Sequence, residues 1–444
     1  NPLLESLGSQ GMLENIAPDG ELFIYKNPKL TSVAGLQSLT QVEGDITISE
    51  NESLTSLDSL INLTSVGKVF EISSNLSLTD LSGLDNLATV GYLDIISNAA
   101  LANLNHLTKL EEARSLLISK NPALIDVAGL SNLHTITDNF EISDNALLEK
   151  IGPFNFSDTL DGTVYISRNP KLMDINALSN LTTIKKSVII SFNESLNNLA
   201  GLNHLRTVGG SIGIYALPLL EISNLSDLSQ LDSVRINFEI GALPFANLAG
   251  LENLRHVGNG LFITNNSFLT SLSGLEGLRR LRKIEIKNNP SLTSLSGIDS
   301  VEFFTNVTGY WAIIENNPLL SLCGVQSVCN QMAIYYGWTI LSGNAEGCNS
   351  SGQVLESCGL SDTDDKIEEA EISIYPNPTS GVFVVETQTP NRFKAQVLDG
   401  MGRLVETQEM LGGGVVDLSD EAEGVYFVRL LFDEWMVVRK IVKI

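Results

Sequence analysis

The sequence predicts a mostly β chain, in which a β-solenoid of about 13 coils is followed by a small β-sandwich. A repeat of about 24 residues predicts the solenoid. Residues 27–51 illustrate this repeat, which continues over some 320 residues. The few residues before each return alternate between apolar and polar side chains, as a half-buried strand does. The sandwich is predicted by several alternating stretches, separated by Gly, Pro, Asn and Asp, in the last 73 residues.

Each copy of the repeat begins at a position that is Asn in most copies. This position is occupied by Asn1, Asn27, Asn51, Asn75, Asn98, Asn121, Asn145, Asn169, Asn193, Leu217, Leu243, Asn266, Asn289 and Asn317. Apolar residues follow at +3, +6, +9, +12 and +15, and the +3 residue is Leu in every copy except one, where Ala246 stands. We expect the Asn to occupy a corner, where it tolerates unusual backbone angles and forms an amide ladder with neighbouring copies.

The three-residue spacing favours a coil made of short straight pieces over one long helix. Gly is frequent at +8, as at Gly83 and Gly129, and would destabilise a helix by about 1 kcal/mol at each occurrence. Each copy is therefore predicted to form one turn of a coil. Strand pairing at about 4.8 Å per coil would give a rod of roughly 60 Å.

The pattern N-x-x-L-x-x-L-x-G-L-x-x-L-x-x-V-x-G-x-L-x-I-x-x-N resembles the receptor L-domain repeat over residues 1–345. That family forms the leucine-rich-repeat-like, right-handed β-helix of insulin- and growth-factor-receptor ectodomains. The resemblance implies a right-handed, leucine-rich-repeat-like solenoid. It does not indicate a ligand, because the surface residues that bind ligands in this family are not part of the pattern.

Charge narrows the range of partners. With 27 basic and 52 acidic residues, the net charge is −25, so nucleic acid and anionic membranes are not expected partners. No apolar run reaches the roughly 20 residues that cross a bilayer. The first residues, NPLLESL, lie inside a copy of the repeat whose strand is missing. We therefore expect a fragment or processed form, whose missing part carried a leader and an N-terminal cap.

All four cysteines lie near the end of the repeats, at Cys323, Cys329, Cys348 and Cys358. Cys323 occupies an apolar +6 position, and the spacings do not fit a paired C-x-x-C zinc site. Three pairings are possible, and an exported chain favours two disulfides that crosslink the last coil. The alternative is free structural thiols. Residues 346–360 are predicted to form a closing loop and helix that cap the final strand.

After the cap, residues 361–371 are predicted to form a flexible acidic linker, and residues 372–444 carry several spaced motifs. The motif residues are Tyr375, Pro376, Asn377, Pro378, Gly381, Gly402, Gly424, Tyr426, Lys440 and Lys443. In this order they resemble the type A C-terminal sorting domain of the Bacteroidota type IX secretion system. The resemblance implies transport by the type IX machinery, cleavage in or near the linker, and a secreted or surface-attached product.

Few residues indicate chemistry. The four His residues occupy different positions of the repeat, and no catalytic or phosphate-binding motif is present. We therefore expect no enzyme, no catalytic residues and no cofactor. Glu71, Asp94 and Glu141 are predicted to stack on the outside of the sheet, where a cation could bridge them, although a solvated face is the favoured interpretation and no metal site is expected.

Recognition is the leading hypothesis, because large apolar residues occur at strand positions predicted to face outward. Phe23 and Tyr25 lie in one coil, and Tyr165, Ile189, Phe192 and Tyr215 lie in three consecutive later coils. They indicate a binding surface for a protein or glycan, as in an adhesin; ordinary packing on a β face is the alternative. Two other functions are left open. The chain could be a structural spacer, or it could be the binding module of a larger enzyme whose N-terminal part is missing.

Overall fold

The structure, a computed structural model, describes residues 1, 3–7, 16, 20–217, 224–304, 310–335, 339–360, 372–387, 392–399, 403–431 and 436–444. The first of two compact units ends at Gly359, and the second spans residues 360–444. The predicted linker at 361–371 lies outside the described residues. No helix in the described part of the chain has the length and apolar character needed to cross a membrane.

Short strands dominate the first unit. In chain order they are β1 (Leu22–Tyr25), β2 (Gln41–Val42), β3 (Ile46–Ser49), β4 (Ser65–Ser73), β5 (Thr89–Ile96), β6 (Glu112–Ser119), β7 (Thr135–Ile136), β8 (Asn139–Ser143), β9 (Thr159–Leu160), β10 (Thr163–Ser167), β11 (Thr183–Ile184), β12 (Val188–Ser191), β13 (Thr207–Val208), β14 (Ile212–Tyr215), β15 (Ser233–Val234), β16 (Phe238–Gly241), β17 (His256–Val257), β18 (Gly260–Thr264), β19 (Arg280–Leu281), β20 (Lys283–Lys287), β21 (Glu302–Phe303), β22 (Ala312–Glu315) and β23 (Thr339–Ser342).

These strands form two parallel sheets, with successive coils paired in order. The large sheet has 16 strands and runs from β1 to β23, and the short sheet has seven two-residue strands, β9 to β21. Equivalent residues of neighbouring coils lie side by side, as Ile142, Ile166 and Ile190 do. This repeated in-register stacking confirms the predicted β-solenoid.

The apolar rows of the repeat fill the interior. Leu30, Leu54 and Leu78, at +3 in consecutive copies, are completely buried. The assignment of Ala246 to this row is wrong: Ala246 is exposed, and its carbonyl accepts the N–H of Thr270, a +4 residue. The coil is one residue shorter before this point, so the buried Phe245 occupies the leucine position instead.

The Asn residues form the predicted internal ladder. Asn145 is fully buried; its Oδ1 accepts the backbone N–H of Asn121 at 3.1 Å, and its Nδ2 donates to the carbonyl of Ile118 at 3.0 Å. The expectation that the Asn itself adopts the unusual backbone angles is wrong. A positive φ occurs at the residue before it, such as Asp144 with φ 57°, and the amide satisfies the polar groups that this corner leaves buried.

Glycine at +8 allows neighbouring coils to approach closely. A Cβ atom at Gly129 would lie 1.7 Å from the carbonyl oxygen of Leu104 in the previous coil, and one at Gly83 would lie 2.1 Å from that of Leu57. The conserved spacing of this glycine within the repeat therefore follows from backbone contact between coils.

The last coil is closed by two helices and two disulfides. Helix α1 (Gln326–Tyr335) follows the core residue Cys323, and helix α2 (Ser351–Ser357) begins after Ser350, whose hydroxyl accepts the N–H of Gln353. The disulfides join Cys323 to Cys348 and Cys329 to Cys358. Two disulfides were predicted, and their pairing is one of the three that the sequence left open.

The second unit is the predicted small sandwich. Its strands are β24 (Ile372–Tyr375), β25 (Val382–Thr387), β26 (Arg392–Leu398), β27 (Leu404–Leu411), β28 (Gly413–Asp417), β29 (Gly424–Leu431) and β30 (Met436–Lys443). One antiparallel sheet contains β24, β25 and β28, and the other contains β27, β26, β29 and β30. Residues of both sheets, such as Phe383 and Val428, share one buried apolar cluster.

Candidate functional site

One row of side chains runs along the outside of the large sheet, and we call it the outward row. In order it contains Phe23, Thr47, Glu71, Asp94, Leu117, Glu141, Tyr165, Ile189, Gly213, Glu239, Phe262, Glu285, Ile313 and Ile340. Neighbours in this row belong to paired strands and are therefore about 4.8 Å apart.

Three of the predicted residues, Tyr165, Ile189 and Tyr215, form a continuous apolar strip, which we call the central strip. Tyr165 and Ile189 are direct neighbours in the outward row, and Ile189 is followed by Gly213. Tyr215 lies two residues after Gly213, and its ring covers the space that the missing side chain leaves: a Cβ at Gly213 would lie 2.7 Å from Tyr215 Cε2. All three residues are half-buried.

Carboxylates flank the central strip at both ends. Glu141 lies beside Tyr165 and accepts a hydrogen bond from the Ser143 hydroxyl at 2.9 Å. At the other end, the Tyr215 hydroxyl donates to Glu239, whose second oxygen accepts from Asn237 Nδ2 at 3.0 Å. Burial raises the pKa of Tyr215, and the hydrogen bond to Glu239 raises it further. The phenol is therefore protonated and fixed in position at neutral pH.

The sequence predicted an outward-facing strand position for Phe192, and this prediction is wrong. It is the corner residue before Asn193, with φ 55°, and it is 46% exposed. Its backbone N–H donates to the carbonyl of Tyr215 at 3.2 Å, and the Arg168 guanidinium lies 5.3 Å from its ring centroid. Phe192 therefore lies next to the central strip but around the corner from it.

The structure separates Phe23 and Tyr25 from the central strip. Six coil steps separate Phe23 from Tyr165 in the outward row, which corresponds to roughly 30 Å. Phe23 is 59% exposed and Tyr25 is 45% exposed, with the Lys26 ammonium 4.6 Å from the Tyr25 ring centroid. The predicted residues thus form two distinct groups.

Sequence reasoning missed Phe262. It neighbours Glu239 in the outward row, so it extends the apolar surface beyond the flanking carboxylate. Its ring lies over Gly260, where a Cβ would come within 2.5 Å of Cε2, and the Lys283 ammonium lies 4.6 Å from the ring centroid. The signal that could have found it is the Gly-x-aromatic spacing, which Gly213 and Tyr215 share.

The predicted carboxylate stack is present in the outward row. Glu71 neighbours Asp94, and Leu117 separates Asp94 from Glu141. Burial raises the pKa of Asp94, and the charges of Glu71 and Glu141 raise it further. Across the described ranges, no three His, Cys, Asp or Glu side chains are grouped so that they could hold a metal ion.

The sorting motifs of the second unit meet at its last strand. Asn377 Nδ2 donates to the carbonyl of Lys440 at 2.7 Å, and its Oδ1 accepts the N–H of Val442 at 2.9 Å. Thr379 continues this pairing, since its N–H donates to the carbonyl of Val442 at 2.8 Å. The Tyr-Pro-Asn-Pro segment and the final strand therefore form one structural element.

The two motif lysines have different environments. Lys443 is only 7% exposed, and its ammonium donates to the carbonyls of Leu418, Ser419 and Glu421. Lys440 is exposed. Tyr426 is buried and its hydroxyl donates to the carbonyl of Ala422 at 2.6 Å, whereas Tyr375 is exposed. Gly402 lies outside the described residues.

Comparison with known families supports the second unit's identity. Residues 373–444 match the family described as the secretion system C-terminal sorting domain. This domain indicates export by the type IX secretion system to the cell surface or extracellular space. No curated protein matches the chain.

Proposed function

We propose that the solenoid of this exported protein is a non-enzymatic recognition module that binds a protein or glycan through the central strip. The resemblance to receptor L-domains, whose solenoids bind ligands by surface residues, is consistent with this role. Type IX export brings the solenoid into contact with extracellular partners. Adhesion by the solenoid is inferred from the side chains on its surface.

The observation that supports the proposal is the continuous apolar surface made by Tyr165, Ile189 and Tyr215. A tyrosine that is already ordered before binding contributes a large contact area and loses little side-chain entropy. Tyrosine is therefore enriched among the energetically important residues of interfaces. Tyr215 is already held by Gly213 and Glu239 before any ligand arrives. Little ordering free energy is therefore lost on binding.

The flanking carboxylates add a polar rim. Glu141 and Glu239 lie one coil step from the apolar side chains, and their carboxylates accept hydrogen bonds. An apolar centre with polar groups at its edge is the usual arrangement of a specific interface. A sugar face with adjacent hydroxyls, or an apolar side chain beside a basic group, would match it.

The proposal is tested by incubating the purified full chain with glycan and extracellular-protein arrays, followed by titration of each positive. A saturable ligand that the central strip binds supports recognition. Absence of any saturable ligand would favour the spacer, in which the rigid ladder only holds other parts of the protein at a distance. Turnover of a bound ligand would instead point to an enzyme.

A further inference from the structure

Half of the chain's arginines lie on one face of the solenoid, on the side of the short sheet. Six of the 12 arginines occur in four consecutive coils, and we call this set the arginine face. Its members are Arg206, Arg235, Arg255, Arg279, Arg280 and Arg282. All are exposed except Arg282, which is half-buried.

Backbone pairing places these arginines in rows. The N–H of Asp232 donates to the carbonyl of Arg206, that of Arg255 to Asp232, and that of Arg279 to Arg255, each at 2.9 Å. Arg206, Arg255 and Arg279 therefore follow one row at steps of about 4.8 Å, with one position taken by Asp232.

Two further rows run beside the first. Arg280 pairs with His256 in the short sheet. Each of these residues directly follows a member of the first row, so together they belong to a second row. Arg235 lies in a third row, and its neighbour in the next coil is Gly258. A Cβ at Gly258 would come within 1.9 Å of the Arg235 carbonyl oxygen. The backbone pairing therefore places the arginines in neighbouring rows on one side of the solenoid.

The acidic side chains of the same coils are mostly directed elsewhere. The carboxylates of Glu252 and Glu276 accept backbone N–H groups, from Gly250 at 3.0 Å and Gly274 at 2.8 Å, and the Glu276 carbonyl accepts Arg279 Nη1 at 2.9 Å. Glu239 and Glu285 belong to the outward row of the large sheet.

Within the part of these coils that the structure describes, few carboxylates lie beside the arginines. On the arginine face, Asp232 lies 3.8 Å from Arg255 Nε, and Glu302 pairs with Arg280 at its end. The five exposed arginines, set against these two carboxylates, leave a local excess of positive charge in a chain whose net charge is −25.

We propose that the arginine face binds an extended anionic polysaccharide carrying sulfate or carboxylate groups. A guanidinium group matches both anions with two parallel hydrogen bonds, and rows of arginines at a regular step suit a polymer with regularly spaced charges. Export places the face where such polymers occur. A single polysaccharide chain reaches the face alone, whereas a membrane surface would also meet the repulsive field of the acidic remainder.

The test measures binding of fluorescent dextran sulfate and neutral dextran to the full chain by anisotropy, at increasing salt. We expect saturable binding of dextran sulfate that weakens as salt screens the charges, and none of neutral dextran. The variant Arg206→Gln, Arg235→Gln, Arg255→Gln, Arg280→Gln should bind at least about tenfold more weakly.

A matched control removes four positive charges elsewhere, through Lys109→Gln, Lys120→Gln, Lys150→Gln and Lys171→Gln, all exposed in the wild type. It should bind within about twofold of the wild type, and both variants should keep the wild-type melting temperature because exposed substitutions change stability little. Serine variants of the central strip should also bind dextran sulfate normally, which separates this proposal from the proposed function.

Three results would overturn the proposal. The first is no binding of dextran sulfate at about 0.15 M salt, where screening is physiological. The second is an equal loss in the arginine and lysine variants, which would show a response to net charge only. The third is tighter binding of single-stranded DNA than of dextran sulfate under the same conditions.

Discussion

The Tyr215 hydroxyl donates a hydrogen bond to Glu239 in the next coil, and this bond holds the aromatic ring over Gly213. Because the folded state raises the pKa of Tyr215 above its ordinary value of 10.0, folding favours the protonated phenol. The stabilisation is therefore complete below pH 10 and is lost as pH rises towards the folded-state pKa.

Replacing Tyr215 by Phe removes the hydrogen bond but keeps the ring. We expect the variant to be less stable than the wild type by about 1 kcal/mol at pH 8, and the difference to shrink above pH 10. Urea unfolding across this pH range measures both effects. A difference that stays constant or grows with pH would show that the phenol's protonation does not contribute.

The asparagine ladder predicts a large difference between two Asn→Ala substitutions. Asn145→Ala leaves the buried N–H of Asn121 and the carbonyl of Ile118 without the amide that pairs them, so we expect a loss of about 3 kcal/mol. Asn132 is exposed and donates one hydrogen bond, to Thr108, so Asn132→Ala should cost less than about 1 kcal/mol. Equal losses in urea unfolding would contradict a structural role for the ladder.

The repeat pattern is sufficient to predict the solenoid because each position of the repeat has one physical role. Leucines such as Leu54 fill the interior, and Gly129 permits backbone contact between coils. Assigning positions by their distance from each Asn gives the wrong residue where a coil is one residue shorter, as between Leu243 and Phe245. Spacing alone does not show where in the coil the residue is missing. Only backbone pairing revealed that Phe245 replaces the leucine.

The candidate surface was less predictable for three reasons. Phe192 lies one residue beyond its strand, and a strand's end cannot be located to a single residue from alternation. Phe262 lies beyond Glu239 in the outward row, so strand alternation alone does not connect it with the central strip. The arginine face was hidden by the net charge, which sums over the chain and says nothing about which row carries each side chain.

The disulfide pairing gives a direct covalent prediction. Peptide mapping of unreduced protein should recover Cys323 linked to Cys348 and Cys329 linked to Cys358, with no free thiol after denaturation. The bridged residues are 25 and 29 positions apart, so opening either bond should destabilise the cap by about 3 kcal/mol. Recovery of another pairing, or of four free thiols, would contradict the cap described here.

The two sorting-motif lysines should respond differently to the same substitution. Lys443→Met removes the buried ammonium that three carbonyls share, so we expect the sandwich to lose about 2 kcal/mol or more and to become sensitive to protease. Lys440→Met changes an exposed side chain and should leave the sandwich intact. Limited proteolysis of the full chain compares them, and equal resistance would show that Lys443 is not a structural residue.

The central claim is that Tyr165, Ile189 and Tyr215 bind the ligand. The direct measurement is the affinity of the triple variant Tyr165→Ser, Ile189→Ser, Tyr215→Ser for a ligand identified on the arrays, with Phe23→Ser, Tyr25→Ser as the control. We predict that the triple variant binds at least about 100-fold more weakly, since each buried interface residue contributes on the order of 1–2 kcal/mol. The control should bind like the wild type, because its residues lie roughly 30 Å away. Wild-type affinity in a folded triple variant, or an equal loss in the control, would contradict the claim.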